Sequence, residues 1–92
     1  METVIQSNKE CYVCGQTTNL HSHHVFFGSA NRKLSEKYGM KVWLCGAHHN
    51  QSNAGVHFNR QLDLRLKMDA QRVFEKQHSR EEFMQIFGRN YL

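Results

Sequence analysis

The feature that most constrains this chain is a window of metal-ligand residues between Cys11 and His57. All three cysteines and six of the seven histidines lie in that window. Two residues separate Cys11 from Cys14, and two separate Cys45 from His48. Such spacers let one backbone turn present two ligands to the same zinc ion. The ligand-type side chains are too many for one tetrahedral ion, so the window predicts two metal sites.

The two spaced pairs supply a complete ligand set for a structural zinc ion: Cys11, Cys14, Cys45 and His48. An odd number of cysteines argues against a disulfide framework and fits reduced thiolates on a metal. Buried cysteines can also be plain apolar residues, but a CxxC followed by a CxxH is a specific signal. The core of a chain of only 92 residues supplies only a few kcal/mol of folding free energy, so we expect the ion to stabilise the fold.

Length and composition predict one small domain over residues 1–92 in the cytoplasm. No window approaches the roughly 18 apolar residues of a membrane span, and residues 1–5 lack the basic start of a secretion signal. The net charge of +4 is only modestly suggestive of nucleic acid.

The distribution of charge is more informative than the total. Four basic residues face the single acid Glu36 in one segment beside the histidines: Arg32, Lys33, Lys37 and Lys41. Solvated surface and phosphate binding explain such a segment about equally well. We carry these four residues as candidate nucleic-acid contacts.

The pattern of residues predicts an α+β fold. β-branched and aromatic residues indicate strands over about 20–26 and 41–44. A short helical turn is expected over 31–38, and a helix over 47–53. The expected order is therefore strand, strand, helix, then two more helices.

The C-terminal part, residues 60–92, should form those last two helices. Alternating leucines over 60–77 fit a strand, but a helical stripe fits too, and the segment is rich in helix formers. Helix is the preferred interpretation. Ser79 and Glu82 match a capping box that opens the last helix, and Gly88 ends it.

Five histidines of the window lie outside the zinc set, and four of them are candidates for a second site: His23, His24, His49 and His57. Neighbouring side chains of a strand point to opposite faces. His23 and His24 can therefore serve one centre only at a strand end or bulge, as ligand and base. The other two histidines, His21 and His78, are expected to be ordinary surface or core residues.

Three short motifs carry a resemblance to a known family: Cys11-x-x-Cys14, His23-His24-Val25 and Leu44-Cys45-x-x-His48-His49. This pattern resembles the HNH endonucleases, whose ββα-metal core is a β-hairpin and a helix around a metal ion. His48-His49 with Gly55-Val56-His57 looks more narrowly like phage-type members, and among them the RecA-dependent recombination-enhancement nucleases. The resemblance covers the motif core, roughly residues 11–58.

The resemblance implies roles for the second group of histidines. His24 takes the place of the general base, and His23, His49 and His57 take the places of ligands to a catalytic divalent metal. An all-imidazole site favours zinc, nickel, cobalt or manganese over magnesium, whereas family members commonly use Mg²⁺ or Mn²⁺. The catalytic ion therefore stays open among Mg²⁺, Mn²⁺, Zn²⁺ and Ni²⁺.

The middle asparagine of the family motif has no counterpart here, because Met40 stands in its place. In the family it steadies the segment that carries the base. Three asparagines offer substitutes for it: Asn31, Asn50 and Asn53.

The function implied by the resemblance is a metal-dependent endonuclease of phage or prophage origin that nicks or cuts DNA in the bacterial cytoplasm. Its partners would be DNA and a recombination or phage packaging protein, with no membrane association. The alternative is a non-catalytic zinc module of the same fold that binds nucleic acid or a partner protein. A zinc deaminase is excluded, because it needs His-x-Glu and Pro-Cys-x-x-Cys and this chain contains no proline.

Overall fold

A two-stranded antiparallel sheet with four helices is the architecture of the computed structural model, which describes residues 3–51 and 55–92. The elements follow in this order: β1 (Leu20–His24), α1 (Ser29–Tyr38), β2 (Lys41–Cys45), α2 (Gly46–His49), α3 (Arg60–Phe74) and α4 (Arg80–Phe87). This is the α+β class that the sequence predicts. The predicted helix over 47–53 is wrong in extent, because α2 ends at His49; residues 52 and 53 of that prediction lie outside the described residues.

The hairpin pairs Leu20 with Cys45 at one end and His24 with Lys41 at the other. β1 is two residues shorter than predicted. Beyond it, the Val25 N–H still donates to the Met40 carbonyl at 3.0 Å. The ladder ends because the next backbone N–H and C=O, those of Phe26, both bond to the Ser35 hydroxyl of α1.

The expectation of a short helical turn over 31–38 is wrong in extent, because α1 is a ten-residue helix that begins at Ser29. Gly28 precedes it with φ 96° and Gly39 follows it in the left-handed region with φ 70°, a conformation that glycine adopts without strain. A helix rather than a loop therefore joins the two strands, and the predicted element order must be corrected to strand, helix, strand.

The two predicted C-terminal helices are confirmed. The segment that fits either a strand or a helix is helical, and α3 begins where the Asn59 side chain accepts from the Leu62 N–H at 3.1 Å. α4 has the predicted capping box between Ser79 and Glu82, and it ends at Gly88 with φ 79°.

Aromatic side chains join the hairpin to these helices. The ring of Phe26 lies 4.4 Å from that of Phe87 and 5.4 Å from that of Phe83. The ring of Phe74 lies 5.4 Å from that of Phe83. All four side chains are buried, so α3 and α4 anchor the segment that follows β1. None of the helices in the described ranges is long and apolar enough to cross a membrane.

The capping box gives a stability prediction. We expect Ser79→Ala to lower the free energy of unfolding by about 1 kcal/mol, because the Glu82 N–H loses its acceptor at 3.1 Å. Ser29→Ala is the matched control, since α1 has no side-chain cap bond at its N-terminus. Urea unfolding measures both, and equal midpoints for the two variants would contradict the prediction.

Candidate functional site

The turn from Cys11 to Gly15 lies beside β2. The Gly15 N–H donates to the Cys11 carbonyl at 2.9 Å, and Gly15 has φ 79°. The Tyr12 N–H donates to the Trp43 carbonyl at 2.8 Å. These bonds bring both thiols of the turn next to Cys45, the last residue of β2.

The four predicted zinc ligands are brought together. Their ligand atoms all lie within 4.8 Å of one another. Cys14 Sγ lies 3.7 Å from Cys45 Sγ, and His48 Nδ1 lies 3.2 Å from Cys45 Sγ and 3.7 Å from Cys11 Sγ. Tetrahedral zinc with Zn–S bonds of about 2.3 Å puts its sulfurs about 3.8 Å apart. A disulfide needs about 2.05 Å, so these separations suit a shared ion.

The environment of Cys11 favours its thiolate, the form that binds a metal. Burial raises the pKa of this thiol. Hydrogen bonds from the backbone N–H groups of Cys45, Cys14 and Val13 together lower it by more, so that the resulting pKa is about 6. Cys11 is therefore largely ionised at neutral pH and prepared for coordination.

The second predicted ligand set is also brought together. His23 from β1, His49 from α2 and His57 have ring nitrogens within 4.8 Å of one another. His49 Nε2 and His57 Nε2 are 3.1 Å apart, and the ring of His23 lies 5.4 Å from each of the other two. Such short separations between imidazole nitrogens are those of ligands that converge on one ion.

His23 shows most clearly that the cluster suits a metal ion. The residue is 3% exposed, and its Nε2 has no hydrogen-bond partner among the described residues. A buried polar atom without a partner costs free energy. Burial, with His49 next, lowers the pKa of His23 to about 3, so the ring is neutral and its lone pair is available to a metal. A divalent ion fits this donor set.

His57 reaches the cluster through backbone bonds to α2. The Val56 N–H donates to the His48 carbonyl at 2.8 Å, and the His57 N–H donates to the His49 carbonyl at 3.3 Å. The segment from Gly55 thus returns alongside α2, and this return places the third imidazole opposite the first two.

A cavity of about 530 Å³ opens over the three histidines. His24 and Arg32 are on its wall together with His23, His49 and His57. The His24 ring contacts Glu36 of α1, with Nε2 2.9 Å from Glu36 Oε2. His23, a candidate ligand, and His24, the candidate base, are adjacent in β1 and yet share one cavity. This is possible because His24 is the last residue of the strand.

His21 is a site residue that the sequence reasoning missed. Its Nδ1 lies 2.9 Å from His49 Nδ1, so His49 has only Nε2 left for an ion. Such outer contacts fix the tautomer and orientation of a ligand histidine. The available signal was the two-residue spacing from His21 to His23, which puts both on one face of a strand. His78, by contrast, stacks on Phe74 at 4.3 Å, away from both clusters.

The basic segment divides in two. Arg32, Lys33 and Lys37 are exposed. Lys41 is 3% exposed and its Nζ lies 3.0 Å from Glu36 Oε1, so the structure does not present it as a phosphate contact. Lys41 is the first residue of β2, where the Glu36 carboxylate of α1 contacts it. This contact explains why the prediction for Lys41 is corrected.

Comparison with protein-family models, with curated proteins and with solved structures found no match to this chain.

Proposed function

We propose that this protein is a metal-dependent endonuclease of the HNH type that hydrolyses phosphodiester bonds in DNA. The observation that carries the proposal is a cavity whose wall holds three converging imidazoles together with a fourth, His24, which can accept a proton. The order of hairpin strands followed by α2 agrees with the family resemblance. A structural zinc ion, held by the three cysteines and His48, belongs to the same proposal.

His23, His49 and His57 would hold the catalytic ion. Bound there, a divalent cation supplies positive charge for the phosphate oxygens and for the leaving oxygen. The protein's own contribution is rigidity: His21 orients His49, backbone bonds to α2 carry His57, and burial keeps His23 neutral.

His24 would accept the proton of the attacking water. Phosphodiester hydrolysis needs a base that works near neutral pH, and imidazole has that property without tuning. The His24 imidazole lies on the cavity wall beside the three candidate ligands and is not itself one of them. Arg32 lies on the same wall and would contact a phosphate of the DNA.

Nicking of supercoiled plasmid across a panel of divalent metals tests the function. We expect cleavage with at least one of Mg²⁺, Mn²⁺, Zn²⁺, Ni²⁺ or Co²⁺, and none after chelation. If no metal supports cleavage while the protein still binds DNA, the alternative of a non-catalytic zinc module replaces the enzyme.

The placement of Arg32 gives a binding prediction. Arg32→Ala should weaken DNA binding about equally for all sequences and flatten the log-log salt dependence by about one unit, because one phosphate contact is lost. Lys76→Ala, an exposed residue outside the cavity, is the matched control. Titrations by fluorescence anisotropy at several salt concentrations measure both slopes. Equal slopes for Arg32→Ala, Lys76→Ala and the unmodified protein would show that Arg32 is plain surface.

A further inference from the structure

We propose that Glu36 is a positioning residue for His24, and that Lys41 dictates which nitrogen of His24 is free to accept a proton. The catalytic meaning of this inference rests on the proposed function. Its structural content is a three-residue relay from β2 through α1 to β1.

The relay is set by the fold. His24 and Lys41 lie opposite each other in the hairpin register, and Glu36 of α1 contacts both. Glu36 Oε1 accepts from Lys41 Nζ at 3.0 Å, and Glu36 Oε2 lies 2.9 Å from His24 Nε2. The Lys41 side chain is 4% exposed, so its ammonium is held beside the carboxylate.

The chemistry of the three groups assigns the tautomer of His24. The hydrogen bond from Lys41, followed by that with His24, lowers the pKa of Glu36, so the carboxylate is ionised and can only accept. Neutral His24 must then carry its proton on Nε2. Nδ1 is left with the lone pair, and it is the nitrogen that can take a proton from water.

This arrangement supplies what the missing asparagine supplies in the family that the chain resembles. Met40, at the corresponding place, is buried in the core and cannot hold the base. The side chain that contacts His24 comes instead from α1, the helix inserted between the strands.

A glutamine at this position should trap the wrong tautomer. In Glu36→Gln, Lys41 can only donate and therefore takes the amide oxygen. The amide NH₂ then faces His24 Nε2 and forces it to accept, which moves the imidazole proton to Nδ1 and blocks the base. Cleavage should fall by about 10²–10⁴-fold. Zinc content, metal affinity at the histidine cluster and DNA binding should stay unchanged.

Removing Lys41 should release the trap. In the double variant Glu36→Gln/Lys41→Met the amide is free to rotate, so its oxygen can accept from Nε2 and restore the working tautomer. Cleavage should recover by about 10-fold or more relative to Glu36→Gln, a fraction of the worth of a general base. A purely structural role of the pair predicts the opposite, namely that the second substitution adds to the damage.

Nitrogen-15 NMR of the histidine rings tests the relay without any cleavage. At about pH 8, where free imidazole is neutral, His24 should show the Nε2–H tautomer in the unmodified protein and the Nδ1–H tautomer in Glu36→Gln. Its signals are assigned by their loss in His24→Ala. Should the double variant fail to fold, the tautomer of the single variant still decides.

The inference is overturned if the unmodified protein shows His24 as the Nδ1–H tautomer, or if Glu36→Gln leaves the tautomer unchanged. It is also overturned if the tautomer changes and cleavage does not. If none of the metals supports DNA cleavage by the unmodified protein, the proposed function fails. The NMR comparison then still determines whether Glu36 and Lys41 set the tautomer.

Discussion

Cys45→Ser should leave the protein largely unfolded. The four candidate ligands come from two segments that are distant in sequence, the Cys11–Gly15 turn and the junction of β2 with α2, and a shared ion would join them. Apparent binding free energies of structural zinc reach about 10–16 kcal/mol in small domains. Native stability is typically only about 5–15 kcal/mol, so the loss of one thiolate should remove most of it.

Circular dichroism, thermal melts and metal analysis of the purified protein measure this effect. The unmodified protein should hold about one tightly bound zinc ion per chain at the thiolate site. Val13→Ala is the matched control, because Val13 lies in the same turn, is exposed and offers no ligand atom. A Cys45→Ser protein that folds normally without zinc would remove the structural-metal account.

His24→Ala and His49→Ala should fail in different ways. His24→Ala should keep the metal and bind DNA but cleave it about 10²–10⁴-fold more slowly, the usual worth of a general base. His49→Ala should lose the ion at the histidine cluster, because His49 Nε2 faces His57 Nε2 at 3.1 Å. Zinc at the cysteines should remain in both variants.

Thermal melts, metal titration and plasmid nicking on the same preparations separate these outcomes. His78→Ala is the control histidine, since it packs on Phe74 away from the cavity. If His24→Ala and His49→Ala merely destabilise the protein, activity will fall in step with the folded fraction. If His24→Ala cuts at the unmodified rate, the base lies elsewhere.

Local sequence signals predicted much of the fold. The capping box at Ser79 and the helical stripe of α3 depend on neighbours within one or two turns, and both are found. The length of α1 and the early end of β1 were not predicted. The early end of β1 depends on Ser35, whose hydroxyl bonds to the backbone of Phe26 nine residues away. Such a tertiary contact leaves no periodic signal.

The two clusters of candidate ligands were also accessible from sequence, the cysteine cluster from residue type and spacing and the histidine cluster from the family resemblance. The residues around them were not. The contact of His21 with His49 and that of Glu36 with His24 depend on how α1 and α2 lie against the hairpin. Lys41 was a candidate DNA contact because of its charge and its segment beside the histidines, but its register opposite His24 places it beside Glu36.

The central claim is that His23, His49 and His57 hold an ion that phosphodiester cleavage requires. Its most direct test is a titration of divalent metal into chelator-treated protein that still holds its cysteine-bound zinc. Occupancy of the histidine cluster and plasmid nicking are followed together. Nicking should rise in proportion to occupancy in the unmodified protein, and His49→Ala should show neither. Cleavage that is independent of occupancy, or His49→Ala cutting at the unmodified rate, would contradict the claim.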